Sequence, residues 1–168
     1  SASTDRICAI SLRVSSCCAC NDACEFASCT SDCIATTLAL GVTALPNTCT
    51  GTLAYGNTDL RANCGLNTTA TGREVTYNVT VPAGGSANAI YTPSAMADAV
   101  LWAVTDCVDE TTCVGATDDG GPGEAETLVL DNSAGANAVT FTVIADSFIS
   151  GADLDAGCGS GALVVTAN

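Results

Sequence analysis

Thirteen consecutive residues, CCACNDACEFASC at positions 17–29, hold five of the twelve cysteines in this 168-residue chain. Thiols at that density ligate a metal, cycle through redox states or form disulfides. Cys17 and Cys20 have C-x-x-C spacing, but Cys20, Cys24, Cys29 and Cys33 are separated by three, four and three residues, so the second close-spaced couple of a structural zinc site is missing. The spacing matches no iron–sulfur pattern either. An even number of cysteines suits a disulfide framework made in an oxidising compartment. Seven (Cys8, Cys17, Cys18, Cys20, Cys24, Cys29, Cys33) precede Pro46 and five (Cys49, Cys64, Cys107, Cys113, Cys158) follow it. Both counts are odd, so full oxidation requires at least one bond from the first group to the second or to another molecule. Cys107 and Cys113 flank VDETT and are expected to close that loop, a restriction of the unfolded chain worth about 2–3 kcal/mol. Cys49 and Cys64 form a second local pair in this reading, and Cys158 is left for the crossing bond.

The second group with chemical potential is the stretch TDDGGPGEAE. Asp118, Asp119, Glu124 and Glu126 surround a glycine-rich bend, and Asp98 can join them from a neighbouring strand. Calcium takes six to eight oxygens from carboxylates and backbone carbonyls, which such a loop can supply, although the spacing is not that of an EF-hand. The expected calcium ligands are Asp98, Asp118, Asp119 and Glu126. The plainer reading is a solvated acidic turn, since runs of charge are as a rule simply exposed.

Composition removes several other chemistries. Eighteen acidic residues face four arginines, with no lysine or histidine, for a net charge of -14. Nucleic acid as a partner is excluded by that balance, because phosphate binding needs clustered Lys and Arg. Without histidine there is no Ser-His-Asp or Cys-His nucleophile pair and no mixed histidine metal site. Ser160 in GSG has no base of suitable type, so the segment reads as a turn. No apolar run approaches the length of a membrane span. The start SASTDRIC, without Met or a basic-plus-apolar leader, gives the expectation of a mature, processed chain.

The elements that must position these residues are strands. GREVTYNVTVPAGG alternates Val75, Tyr77, Val79 and Val81 with Thr76, Asn78 and Thr80, then stops at a turn. SANAIYT, DAVLWAV, ETLVLD, NAVTFTVIA and GALVVTA follow, separated by Gly, Asp, Asn and Pro, with only a turn near SAMADA. Short strands at this spacing predict a sandwich or jelly roll. Trp102 and Tyr77 could stack on a glycan, but their place in alternating strands favours the core. Residues 1–48 read differently. RICAISLRVS puts Ile10, Leu12 and Val14 on one face, the cysteine cluster follows, and IATTLALGVTAL is a second extended candidate. Asn67 and Asn78 lie in N-glycosylation sequons.

The order CTGTLAYGNTDL, GREVTYNVTVPAGG, MADAVLWAVTDC, CVGATDDGGPGEAETLVL, NAVTFTVIADSF and GALVVTA resembles the bacterial pre-peptidase C-terminal domain family in its cysteine-containing secreted versions, over residues 49–168. The resemblance implies an all-β, jelly-roll-like antiparallel sandwich on exported proteins. It also implies a non-catalytic module, with calcium or polysaccharide bound by some members. Two departures stand out: no catalytic domain accompanies residues 49–168, and the final strands lack aromatic residues for stacking on sugars.

The expected organisation is therefore a disulfide-rich N-terminal strand segment (1–48) followed by the sandwich (49–168). The expected function is that of a secreted, non-catalytic structural protein, a self-assembling subunit of an extracellular filament or surface layer. The apolar face of Ile7, Ile10, Leu12 and Val14 would pack on a neighbouring subunit. The alternative is a calcium-assisted adhesin or glycan-binding module at the cell surface.

Overall fold

The computed structural model describes residues 35–55, 58–148 and 157–168. They fall within a compact unit running from Asp32 to Asn168. Ile7, Ile10, Leu12 and Val14 lie outside the described residues, as do Cys8, Cys17, Cys18, Cys20, Cys24, Cys29 and Cys33.

The strands are β1 (Thr36–Thr37), β2 (Thr43–Ala44), β3 (Thr58–Asp59), β4 (Thr69–Ala70), β5 (Glu74–Val81), β6 (Ser86–Pro93), β7 (Ala99–Val104), β8 (Cys113–Thr117), β9 (Glu126–Asp131), β10 (Val139–Ser147) and β11 (Gly161–Ala167). One sheet has the order β1-β5-β10-β7-β8, the facing sheet β2-β11-β6-β9, and β3 with β4 forms a small ribbon. All pairings are antiparallel except β1 with β5, which is parallel. Strand β1 pairs with β5 and β2 with β11, so residues 36–44 are edge strands of the sandwich and the fold reaches back past the expected boundary at 48.

Alternation explains the main core. Tyr77, Val79 and Val81 of β5, Phe141, Val143 and Ala145 of β10, and Leu101 and Ala103 of β7 meet Ala89 and Tyr91 of β6, Leu128 and Leu130 of β9, and Leu163 and Val165 of β11. Side chains two apart share a face, so each strand sends every second residue inward. Strand β7 is an exception, buried along its whole length. Its other face, with Ile144, packs under Tyr55, Leu60 and Ala70 in a second core built outside the five-stranded sheet. The cover over this face comes from residues 51–55 and 60–70, including the one-turn helix α1 (Leu60–Asn63). Trp102 is fully buried in it and Tyr77 nearly so in the main core, so neither is a stacking surface.

The disulfides differ from the local pairs expected. Cys64 bonds Cys113, tying the end of α1 to the first residue of the edge strand β8 and so fastening the cover to the sheet. The loop before Cys113 needs no cystine of its own. Thr105 N–H donates to the Thr112 carbonyl at 3.2 Å, Asp106 N–H to Thr112 Oγ1 at 2.9 Å and Thr111 N–H to Asp109 Oδ1 at 3.0 Å, and together these close it. Cys49 bonds Cys158, not Cys64, because the chain at Asn47 bridges Ser160 and Thr48 N–H donates to the Gly159 carbonyl at 2.9 Å. Cys158 is therefore not the crossing cysteine. Cys107 is disulfide-bonded as well, but not to Cys113. The GSG segment is no free turn: Ser160 bridges Asn47, and Gly161 opens β11 where any Cβ would strike the Tyr91 ring.

Candidate functional site

Asp98, Asp118, Asp119 and Glu126 come together at one end of the sandwich. Asp98 precedes β7, Asp118 and Asp119 follow β8, and β7 and β8 are antiparallel neighbours with Leu101 opposite Thr117. Glu126 is the first residue of β9, in the other sheet. The four are near enough to act on one another. Burial raises the Asp118 carboxyl above its ordinary range, as do Glu126, Asp98 and Asp119, while a hydrogen bond from Thr68 opposes them. Burial likewise raises Asp98, against the Ala99 N–H and with Glu126. One oxygen of Asp98, Oδ1, is buried without a hydrogen-bond partner.

Glu126 is spent differently. Its Oε2 accepts from Thr117 Oγ1 at 2.8 Å and from Asp119 N–H at 3.0 Å, and its Oε1 from Gly120 N–H at 2.8 Å. A fully buried carboxylate thus caps the Asp118–Gly121 bend and joins the edge of one sheet to the edge of the other. Glu124, exposed, accepts from Gly121 N–H at 3.0 Å. Among the described residues no group of three or more His, Cys, Asp or Glu is set to hold a metal ion as it stands. Asp98 and Asp118 fit a cation's demand for free carboxylate oxygen; Glu126, engaged on both oxygens, does not.

A second carboxyl cluster was not among the expected site residues. Glu74 of β5 and Asp146 of β10 are directly opposed across the ladder, and both are buried. They lie on the outer face of the five-stranded sheet, beneath the cover. The strap Gly51–Tyr55 crosses them: Thr52 and Glu74 exchange backbone hydrogen bonds at 3.0 Å each way. A Cβ on Gly51 would run into the Glu74 backbone, which is why glycine stands there. Glu74 Oε1 accepts from Thr52 Oγ1 at 3.0 Å, from Tyr55 N–H at 3.3 Å and from Ala54 N–H. Glu74 Oε2 and Asp146 Oδ1 are buried and receive no donor, and the Trp102 indole N–H is buried without a partner of ordinary geometry. Burial raises Glu74. Burial and the Glu74 charge push Asp146 up to about 8, with the Ser147 N–H and the Trp102 N–H holding it back. The only sequence signal was a charged residue inside an otherwise uncharged strand: Glu74 opening EVTYNVTV and Asp146 within VTFTVIADS.

Asn78, in a sequon, is half-buried and accepts from Thr142 Oγ1 at 2.9 Å, whereas Asn67 is exposed. No helix among the described residues is long and apolar enough to cross a membrane.

No protein-family model matches this chain, and no curated protein matches it. Among solved structures it is similar to the pre-peptidase C-terminal domain of a collagenase from Bacillus anthracis, with 10% sequence identity and a TM-score of 0.46, over 79% of this chain and 94% of that one.

Proposed function

We propose that the protein is a secreted, non-catalytic structural subunit that assembles with copies of itself into an extracellular filament or surface layer. The observation that supports this reading most is at the sheet edges. Strands β5 and β11 each pair along their length on one side, while on the other, among the described residues, the covering segments stop short: Thr52, β1 and Leu38 cover β5 from Glu74 to Asn78, and Pro46, β2 and Gly41 cover β11 from Gly161 to Val165. The strand ends beyond them offer backbone donors and acceptors to a strand of another chain. The outer face of the four-stranded sheet suits contact between copies of a molecule of net charge -14. The row Thr43, Val164, Ile90 and Thr127 across its four strands carries no charge, so two such faces can meet without the repulsion that acts elsewhere. The Cys49–Cys158 and Cys64–Cys113 disulfides are in keeping with an oxidising, extracellular setting. The test is assembly of the purified chain, followed by sedimentation and electron microscopy, with and without residues 1–16. Regular polymers are expected from the intact chain and a soluble, unpolymerised domain from the truncated one. An intact chain that stays monomeric at every concentration, or a truncated chain that polymerises normally, would sink the reading.

The gathering of Asp98, Asp118, Asp119 and Glu126 supports the second reading, a calcium-assisted adhesin or glycan-binding module. A cation at Asp98 and Asp118 would offset the burial and the nearby Glu126 charge that raise both, and would stabilise the fold by mass action. Millimolar calcium should then raise the melting temperature above that in chelator. An unchanged value rejects this reading.

A further inference from the structure

The two buried oxygens that no group donates to, Glu74 Oε2 and Asp146 Oδ1, belong to residues directly opposed on neighbouring antiparallel strands. Ionised carboxylates only accept hydrogen bonds, so two of them side by side leave both oxygens unsatisfied and place two negative charges in one buried site. A single proton removes both problems. It converts one partner into a donor and satisfies the other as acceptor.

We propose that Glu74 and Asp146 hold one proton between Oε2 and Oδ1, and that this proton latches the Gly51–Tyr55 strap over the outer face of the five-stranded sheet. The latch works through the other oxygen of Glu74, which receives Thr52 Oγ1 and the N–H groups of Ala54 and Tyr55 and so holds the strap directly. Losing the shared proton to solvent leaves two buried anions, and the cheapest relief is for the strap to lift and admit water.

The groups facing the pair do not replace the proton. From the strap, the Tyr55 phenol donates to the Cys107 carbonyl at 3.0 Å and its ring packs edge-on against Trp102 with centroids 4.8 Å apart. Burial, with Glu74, Glu110 and Asp106, pushes that phenol up to about 12, so it keeps its own proton throughout. From β7 come Val100, opposite Asp146, and the Trp102 indole, opposite Ile144. Arg73, next to Glu74 in the chain, directs its guanidinium to the Gly51 carbonyl at 3.3 Å.

The direction with pH follows from the raised Asp146. A carboxyl that binds its proton more tightly folded than unfolded contributes stability that is complete below its unfolded value, near 3.8, and is lost as pH rises through the folded value, about 8. The strap is thus latched in acid and neutral solution and released in alkali.

Trp102 is the sole tryptophan of the chain, so its fluorescence reports on the pair. Titration of the full-length protein from pH 5 to 10 should show one transition with a midpoint near 8. Asp146→Asn, whose amide can donate to Glu74 Oε2 at any pH, should abolish it. Glu74→Gln should move it down by at least two pH units. Should either variant fail to fold, carbon NMR of carboxyl-labelled aspartates in the unsubstituted protein should show a single side chain titrating near 8. A flat wild-type titration, a transition unmoved in Asp146→Asn, or a stoichiometric metal ion whose removal shifts the fluorescence each overturns the proposal.

Discussion

Asp98, Asp118, Asp119 and Glu126 stand where strand ends meet water, whereas Glu74 and Asp146 lie sealed beneath the strap. The functional group is the same and the solution is different. At the sandwich end, backbone N–H groups of the glycine-rich bend turn toward Glu126, and the remaining carboxyls are half-buried or exposed, so charge is tolerated by hydrogen bonds and solvent. Under the strap the side-chain and backbone donors of residues 52–55 all go to one oxygen of Glu74, and Glu74 Oε2 and Asp146 Oδ1 are left without a partner. What separates the two clusters is therefore the supply of donors, more than the number of acids. The glycines at 120 and 121 lie outside any strand and give their N–H groups to Glu126 and Glu124, whereas the ladder of β5 and β10 has already used its own.

Removing the fastening of the cover tests that contrast most severely. Replacing Cys64 and Cys113 by serine releases a bond that spans 49 residues. On the loop-entropy model that costs about 4 kcal/mol, which corresponds to a fall in melting temperature of roughly 10 °C. Water reaching the pair should also shift the alkaline Trp102 transition to lower pH, while any response to calcium at the opposite cluster stays as it was. A variant that melts like the parent would show that packing alone holds the cover.

A smaller contrast lies within the acidic end itself. Glu126→Ala strips three charge-assisted hydrogen bonds from a buried site and should cost about 2–3 kcal/mol. Glu124→Ala, two residues earlier and exposed, removes a single bond to Gly121 N–H and should change stability by less than about 0.5 kcal/mol. Paired denaturant titrations measure both. Equal effects would mean that Glu126 does not cap the bend.

Much of the sandwich is legible in the sequence because alternation is a direct record of facing. ETLVLD and GALVVTA are strands residue for residue, and the inward set Tyr77, Val79 and Val81 follows the written pattern. The approach of Asp98 to the acidic loop is also readable, as a consequence of DAVLWAV lying beside the strand before TDDGG. The second core is not. A run such as AVLWAV says that both faces are covered, but not by what, and the cover comes from a stretch with little periodicity. Connectivity of the cysteines escaped for a related reason: pairing depends on which strand ends and turns meet in space, and sequence proximity of Cys107 to Cys113 carries none of that. Glu74 was hidden because a single acid at a strand start usually faces solvent, and the strap that buries it is itself irregular.

The Cys49–Cys158 bond has a mechanical consequence. It joins positions 109 residues apart, and β11 follows Cys158 directly in the chain. Tension applied between the chain ahead of Cys49 and Asn168 therefore travels through two sulfur atoms and bypasses the intervening chain, including β5 to β10. Between Cys158 and Asn168, pulling draws out the strand β11, a slack of about 35 Å at the reach of an extended chain. Beyond that length the domain behaves as a covalent link: under load it stiffens where an uncrosslinked sandwich would unravel.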